Sequence, residues 1–277
     1  MRTLLVIAVG LLLGGSAALA DGGPSHGVSQ GGQGVEQGIV RYVAVPSVMR
    51  TVIEKIDRSD GRVLSSRSLE GQWGIPVVSY DGKTDGLQPS GPMLVLGDMG
   101  AKGGGLRKQS RFAVVDVWKM RPLRTIRLAG DFSFDALAPT GKYLYLIEHV
   151  SLKDPTRYRV RAYDLKANKL LARVIVDKRE WEPTMQGWPV TRVATKNGNW
   201  VYTLYGGTKK TFIHALDARN ANAVCIDLPW KKQPGLLFQW RLRLRADGRL
   251  SVLGPHGRTL AVVDPRSYRV LTSVSQP

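Results

Sequence analysis

The chain has a single cysteine, Cys225, among 277 residues. One thiol allows no internal disulfide framework and no zinc site built on paired thiolates. Acidic residues are scarce: 22 Asp and Glu stand against 40 Lys and Arg, a formal charge of +18. There are only four histidines, so a dense imidazole cluster is excluded. Long apolar runs are missing too. The longest, Leu4 to Leu13, covers about ten residues, where a membrane-spanning helix needs about 20. No amphipathic helical period persists. What is present is 43% hydrophobic residues, enough apolar mass for a core, which excludes general disorder.

The N-terminus reads as an address. Arg2, the short apolar run and the small residues ending Ala18-Leu19-Ala20 form a secretory signal peptide over 1–20, with cleavage near Ala20. No cysteine follows it to take a lipid, and no twin arginine precedes it. A secreted or cell-envelope location is expected, with no transmembrane segment in the mature chain. Residues 21–38 are rich in Gly, Ser and Gln and read as a flexible leader. Residues 39–277 form the folded domain.

Within that domain, short β-branched and aromatic runs recur between Gly, Asn, Asp and Pro. Five end in aspartate: Val52–Asp57, Phe112–Asp116, Val160–Asp164, Ile213–Asp217 and Leu260–Asp264. Five residues on stand Arg62, Arg121, Lys169, Asn222 and Arg269, and then a second apolar strand. The unit is a hairpin whose aspartate accepts backbone N–H groups in the turn. Between these lie hairpins with glycine turns: Thr140-Gly141, Asn197-Gly198 and Asp247-Gly248. An earlier copy starts Val77-Val78-Ser79-Tyr80 with the turn Asp81-Gly82, and carries an insertion, Lys83 to Gly91, before Met93.

Four strands in about 50 residues is the arithmetic of a β-propeller blade. The spacing predicts an all-β propeller of five blades, mostly of four antiparallel strands. The first blade shows no clear innermost strand. Either Gly34 to Gly38 supplies a poor one, or that blade has three.

The pattern resembles the YVTN-type, surface-layer-like β-propeller repeat. Tyr143-Leu144-Tyr145 with Tyr163-Asp164, and Trp200-Val201-Tyr202 with Leu216-Asp217, carry the resemblance. The literal tetrad is absent. The resemblance implies an all-β ring and no particular function, since similar propellers serve as binding modules, scaffolds, lactonases and quinoprotein subunits.

Propeller connectivity puts two loop sets on one face, and aromatics concentrate there. Trp73, Phe132, Trp181, Trp188, Trp230 and Phe238 lie between blades, and Tyr205 ends a second strand. A ligand-binding face is expected from Trp73, Phe132, Trp181, Trp188, Tyr205 and Trp230, with packing between blades as the bland alternative. Asp98, Glu148, His149 and His256 fall in the same loop set and are suitable metal ligands by type. They support a rival reading, a metal-assisted hydrolase or lyase of lactonase-like kind. No Gly-x-Ser-x-Gly elbow and no P-loop is present, and no cofactor is identified. The positive charge favours anionic partners, here an envelope polymer or an acidic polysaccharide. No nucleic-acid fold signature appears, and export would separate the chain from nucleic acid.

Overall fold

Each of the five aspartates opens its turn as the sequence suggests. Backbone N–H groups donate to Asp57 from Ser59 at 2.8 Å, to Asp116 from Lys119 at 2.9 Å and to Asp164 from Ala167 at 2.8 Å. Asn220 donates to Asp217 at 3.1 Å and Arg266 to Asp264 at 3.0 Å. At the fourth position after each aspartate the chain turns left-handed: Gly61, Met120, Asn168, Ala221 and Tyr268 all have φ between 48 and 74°. These turns pair the outer strands of five sheets. The computed structural model describes residues 33–99, 106–177, 184–207, 210–230 and 236–275. Residues 1–20, read above as a signal peptide, and Trp181 lie outside them.

Blade 1 holds β1 (Gly34–Gln37), β2 (Val40–Pro46), β3 (Arg50–Asp57) and β4 (Val63–Glu70). Blade 2 holds β5 (Trp73–Gly74), β6 (Met93–Asp98), β7 (Gln109–Asp116) and β8 (Arg121–Ala129). Blade 3 holds β9 (Asp131–Leu137), β10 (Tyr143–His149), β11 (Arg157–Asp164) and β12 (Lys169–Ile175), with β13 (Met185–Gln186) added against β11. Blade 4 holds β14 (Trp188–Ala194), β15 (Trp200–Gly206), β16 (Thr211–Asp217) and β17 (Asn222–Asp227). Blade 5 holds β18 (Arg241–Leu244), β19 (Leu250–Leu253), β20 (Thr259–Asp264) and β21 (Arg269–Ser273). Every sheet is antiparallel with its main strands in chain order, the arrangement of a five-bladed propeller.

The cores are wedges between successive blades. Ile53 and Leu94 share the wedge of blades 1 and 2, and Phe112 and Leu146 that of blades 2 and 3. Val160 and Phe212 share the next, and Leu204 and Val252 the last. Burying these apolar faces against each other is what a lone four-stranded sheet lacks.

Of the two alternatives for the first blade, the structure has four strands: β1 pairs Val35 with Tyr42 and Gln37 with Val40. It lies inside the stretch read as leader, because Val35 is its one buried apolar residue and backbone pairing carries the rest. The run Val77–Tyr80 is not the inner strand of blade 2. That strand is split. Trp73–Gly74 pairs with β6 at one end, and Leu87 bridges Leu94 at the other. Between them, residues 75–85 leave the sheet as a small hairpin, with Val78 N–H donating to the Lys83 carbonyl at 2.8 Å, and the Gly86 carbonyl rejoins β6 by accepting from Val95 N–H at 2.8 Å.

This excursion crosses the hub. Tyr80 N–H donates to the Pro189 carbonyl of β14 at 2.9 Å, and Thr84 Oγ1 donates to the Gly34 carbonyl of β1 at 2.9 Å. Beyond the hairpin, Gln88 Nε2 donates to the Pro139 carbonyl of blade 3 at 2.9 Å. Gln37 Nε2 donates to the Gln88 and Gly91 carbonyls at 3.0 Å. The excursion thus reaches inner strands of blades 1 and 4, and Gln88, just past it, reaches the inner turn of blade 3.

Candidate functional site

Where the excursion meets blades 3 and 4, a recess is lined by Val77 and Val78, by Ser133, Asp135, His149 and Tyr158, and by Pro189, Arg192 and Tyr205. The inner strands β9 and β14 supply Ser133, Asp135, Pro189 and Arg192, because a strand beside the axis points alternate side chains toward the hub and the neighbouring blade. The cavity volume is about 20 Å³, room for a water molecule or two. An organic ligand can place one small polar group in it without displacing protein.

Arg192 is the charged centre. Its Nε donates to Thr203 Oγ1 at 2.9 Å, and its two Nη groups donate to the Asp135 carbonyl and to Asp135 Oδ1. Asp85 Oδ2 of the excursion lies 4.0 Å from Nη1. Burial opposes the Arg192 charge, but Asp135, Tyr205 and Asp85 outweigh it and raise its pKa. Burial raises the Asp85 carboxyl, with Arg192 pulling the other way. His214 sits one strand beyond Thr203. Burial lowers its imidazole from 6.5 to about 4, leaving it neutral at ordinary pH.

Three buried polar atoms in this region lack a hydrogen-bond partner among the described residues: Asp135 Oδ2, Tyr158 Oη and His214 Nε2. Tyr158 stacks on Tyr205 with ring centroids 5.5 Å apart. Its hydroxyl faces that of Tyr205 without well-shaped hydrogen-bond geometry. Buried polar atoms are rarely left unpaired, so this interface suits a water or a ligand hydroxyl. Ser133 Oγ and His149 Nε2 are 3.1 Å apart in the same recess.

Beside the recess an aromatic cluster reaches the surface. The tip residue Tyr80 packs edge-on against Trp188, centroids 5.9 Å apart, and against Phe238, 5.1 Å apart. Tyr80 is 40% exposed and Phe238 46%, while Trp188 is half-buried. Arg241 borders them, with half its side chain exposed and Nε 4.0 Å from Asp81 Oδ2.

The other aromatics of the expected face are turned inward. Trp73 and Phe132 are buried, each two residues after a glycine with positive φ, Gly71 and Gly130. A hydroxyl clamps each connection. Thr51 Oγ1 donates to the Gly71 carbonyl and accepts from Trp73 N–H; Ser110 Oγ does the same for Gly130 and Phe132. Trp230 is buried against Trp240, with its Nε1 donating to the Val274 carbonyl at 3.0 Å. Trp240, a residue the sequence did not mark, fills that wedge and leaves Phe238 outside.

The four metal candidates do not converge. Asp98 is held by Arg111 at 2.6 Å and Glu148 by Arg161 at 2.6 Å. His149 faces Ser133 in the recess, and His256 is exposed on a turn of blade 5. Among the described residues no three His, Cys, Asp or Glu side chains are placed to hold a metal. Of the ten residues singled out, His149 and Tyr205 are the two brought into one recess. Asp135, Tyr158 and Arg192 were missed. Each sits in an ordinary strand pattern, and only their meeting between blades sets them apart.

No protein-family model and no curated protein matches the chain. Among solved structures it is similar to hydrazine synthase of Kuenenia stuttgartiensis, at 13% identity and a TM-score of 0.40, over 91% of this chain and 80% of that one. A hypothetical selenium-binding protein from Sulfolobus tokodaii shows 14% identity and a TM-score of 0.47, over 82% of this chain and 61% of that one. The Dos1 propeller shows 14% identity and a TM-score of 0.45, over 86% and 57%. The likeness is weak and propeller-like, and nothing about ligand or reaction passes from these proteins to this chain. No helix among the described residues is long and apolar enough to cross a membrane.

Proposed function

We propose that the protein is an exported propeller of the YVTN-like kind that binds its ligand without transforming it, and that the ligand is an acidic saccharide lying over Tyr80, Trp188 and Phe238. The observation that carries this reading is the half-open cluster of Tyr80, Trp188 and Phe238, on segments that adjoin the recess through Val78 and Pro189. Aromatic faces meet the apolar side of a sugar ring. Arg241 and the formal charge of +18 favour carboxylates on the ligand. A hydroxyl reaching into the recess would meet Asp135 Oδ2, which lacks a hydrogen-bond partner among the described residues, and Tyr158 Oη beside the Tyr205 hydroxyl. The rival metal-assisted hydrolase gains no support from Asp98, Glu148, His149 and His256, which stand apart.

The test is calorimetric titration with polygalacturonate and with its neutral methyl ester. The acidic form should bind, more weakly as salt rises. The double variant Trp188→Ala, Phe238→Ala should weaken binding by about tenfold or more at unchanged melting temperature. Arg241→Ala should narrow the preference for the acidic form. Undiminished binding by the double variant would sink the assignment of the site.

A further inference from the structure

We infer that the loop rim of blades 1–3 docks on an anionic lipid surface. Strands alternate in direction, so the β2–β3, β6–β7 and β10–β11 loops share the face that holds the aromatic cluster, on the blades away from it. The described residues of each include an exposed apolar side chain; residues 100–105 of the β6–β7 connection lie outside them. In the β2–β3 turn, Val48 is 81% exposed and Met49 74%; Leu152 in the β10–β11 loop is 68% exposed, and Leu106, ahead of β7, is 37%. Each tip has an exposed cation nearby in sequence: Arg50 on blade 1, Lys108 on blade 2, Lys153 and Arg157 on blade 3. The acid within these loops, Asp154, is engaged: it accepts from Thr156 N–H at 3.0 Å and from Gln186 Nε2 at 2.8 Å. Among the described residues, Glu70 at the end of β4 is an exposed acid beside them.

The pattern selects one occupant. These side chains come from three separate blades, so they suit an extended flat partner. An apolar tip beside a cation, repeated from blade to blade, matches an interface with acyl chains beneath anionic headgroups. A polysaccharide has no apolar layer for Val48, Met49 and Leu152. The opposite face exposes Ile39 and Trp118, and Trp118 Nε1 donates to Gln37 Oε1 at 3.2 Å. This surface does not depend on the saccharide reading, because it uses neither the aromatic cluster nor the recess.

Flotation with vesicles tests it. The protein should float with phosphatidylcholine vesicles containing phosphatidylglycerol, and far less with phosphatidylcholine alone. Val48→Ser with Met49→Ser should lower the bound fraction about tenfold on the same vesicles. Each of Lys153→Gln and Arg157→Gln should weaken binding by about fivefold at low salt. All four side chains are exposed, so the melting temperature should stay unchanged. Trp188→Ala with Phe238→Ala should leave flotation intact. Equal flotation on both vesicle types, or full binding by the Val48 and Met49 variant, would overturn the inference. So would a rim that captures only a protein partner and leaves phosphatidylglycerol vesicles unbound.

Discussion

Arg192 shows how far a single residue depends on its surroundings. It is 6% exposed, and its charge is met by Asp135, which is 2% exposed. Removing one partner of such a pair leaves a buried charge uncompensated, at a cost of about 3–5 kcal/mol. Asp135→Ala should therefore lower stability by that amount in urea unfolding, and Asp135→Asn, which keeps the acceptor, by less. His214 links the same region to pH. Its folded pKa of about 4 lies below the ordinary 6.5. Its contribution is complete above pH 6.5 and is lost as pH falls through 4, about 3 kcal/mol in all. Asp85, raised by burial, acts in the opposite direction and offsets part of this loss. His214→Gln should flatten the fall in melting temperature between pH 6.5 and 4.

The outer turn is the element the sequence reads best. The aspartate is legible because its carboxylate has a local task, and all five perform it. The left-handed position behind it is not legible, since glycine fills it once and Met, Asn, Ala and Tyr fill it elsewhere. A β-carbon there costs about 1–2 kcal/mol, which the aspartate bonds and the strand ladder hold in place. Gly61→Ala should cost about 1 kcal/mol, from backbone strain alone, because no atom lies within 4 Å of the added carbon. Ala221→Gly should change stability by less than about 1 kcal/mol in thermal unfolding, because relief of the left-handed strain is offset by loss of a buried methyl group and by glycine's greater chain entropy. The inter-blade connection is a second recurring element. Glycine, an aromatic two residues on and a hydroxyl clamp explain why Trp73 and Phe132 point inward. In sequence they look the same as surface platforms, because a ring fills a wedge or faces water according to the next blade.

At the scale of the molecule, the excursion decides the arrangement. It ties blade 2 to the inner strands of blades 1 and 4, brings Asp85 to Arg192 and sets Tyr80 among the surface aromatics. Asp81 anchors its tip, accepting from Thr191 Oγ1 at 2.6 Å and from Ser79 Oγ at 2.6 Å. Asp81→Ala should lower stability by about 1–3 kcal/mol. It should also weaken saccharide binding, because Tyr80 loses its place beside Trp188 and Phe238.

The sequence by itself determined the all-β class, the five repeated units, their outer hairpins and the basic charge. Those rest on local chemistry: alternating apolar residues, an aspartate that satisfies its own turn, glycine where φ is positive. The tertiary structure alone decided the rest. It made Gly34–Gln37 a strand, since pairing with β2 needs backbone and little side chain. It turned the insertion into a hub and buried Trp73, Phe132 and Trp230. It also joined Asp135, Tyr158 and Arg192 into one recess. Each of these outcomes depends on what a neighbouring blade presents across a wedge or an axis, and no window of residues contains that information.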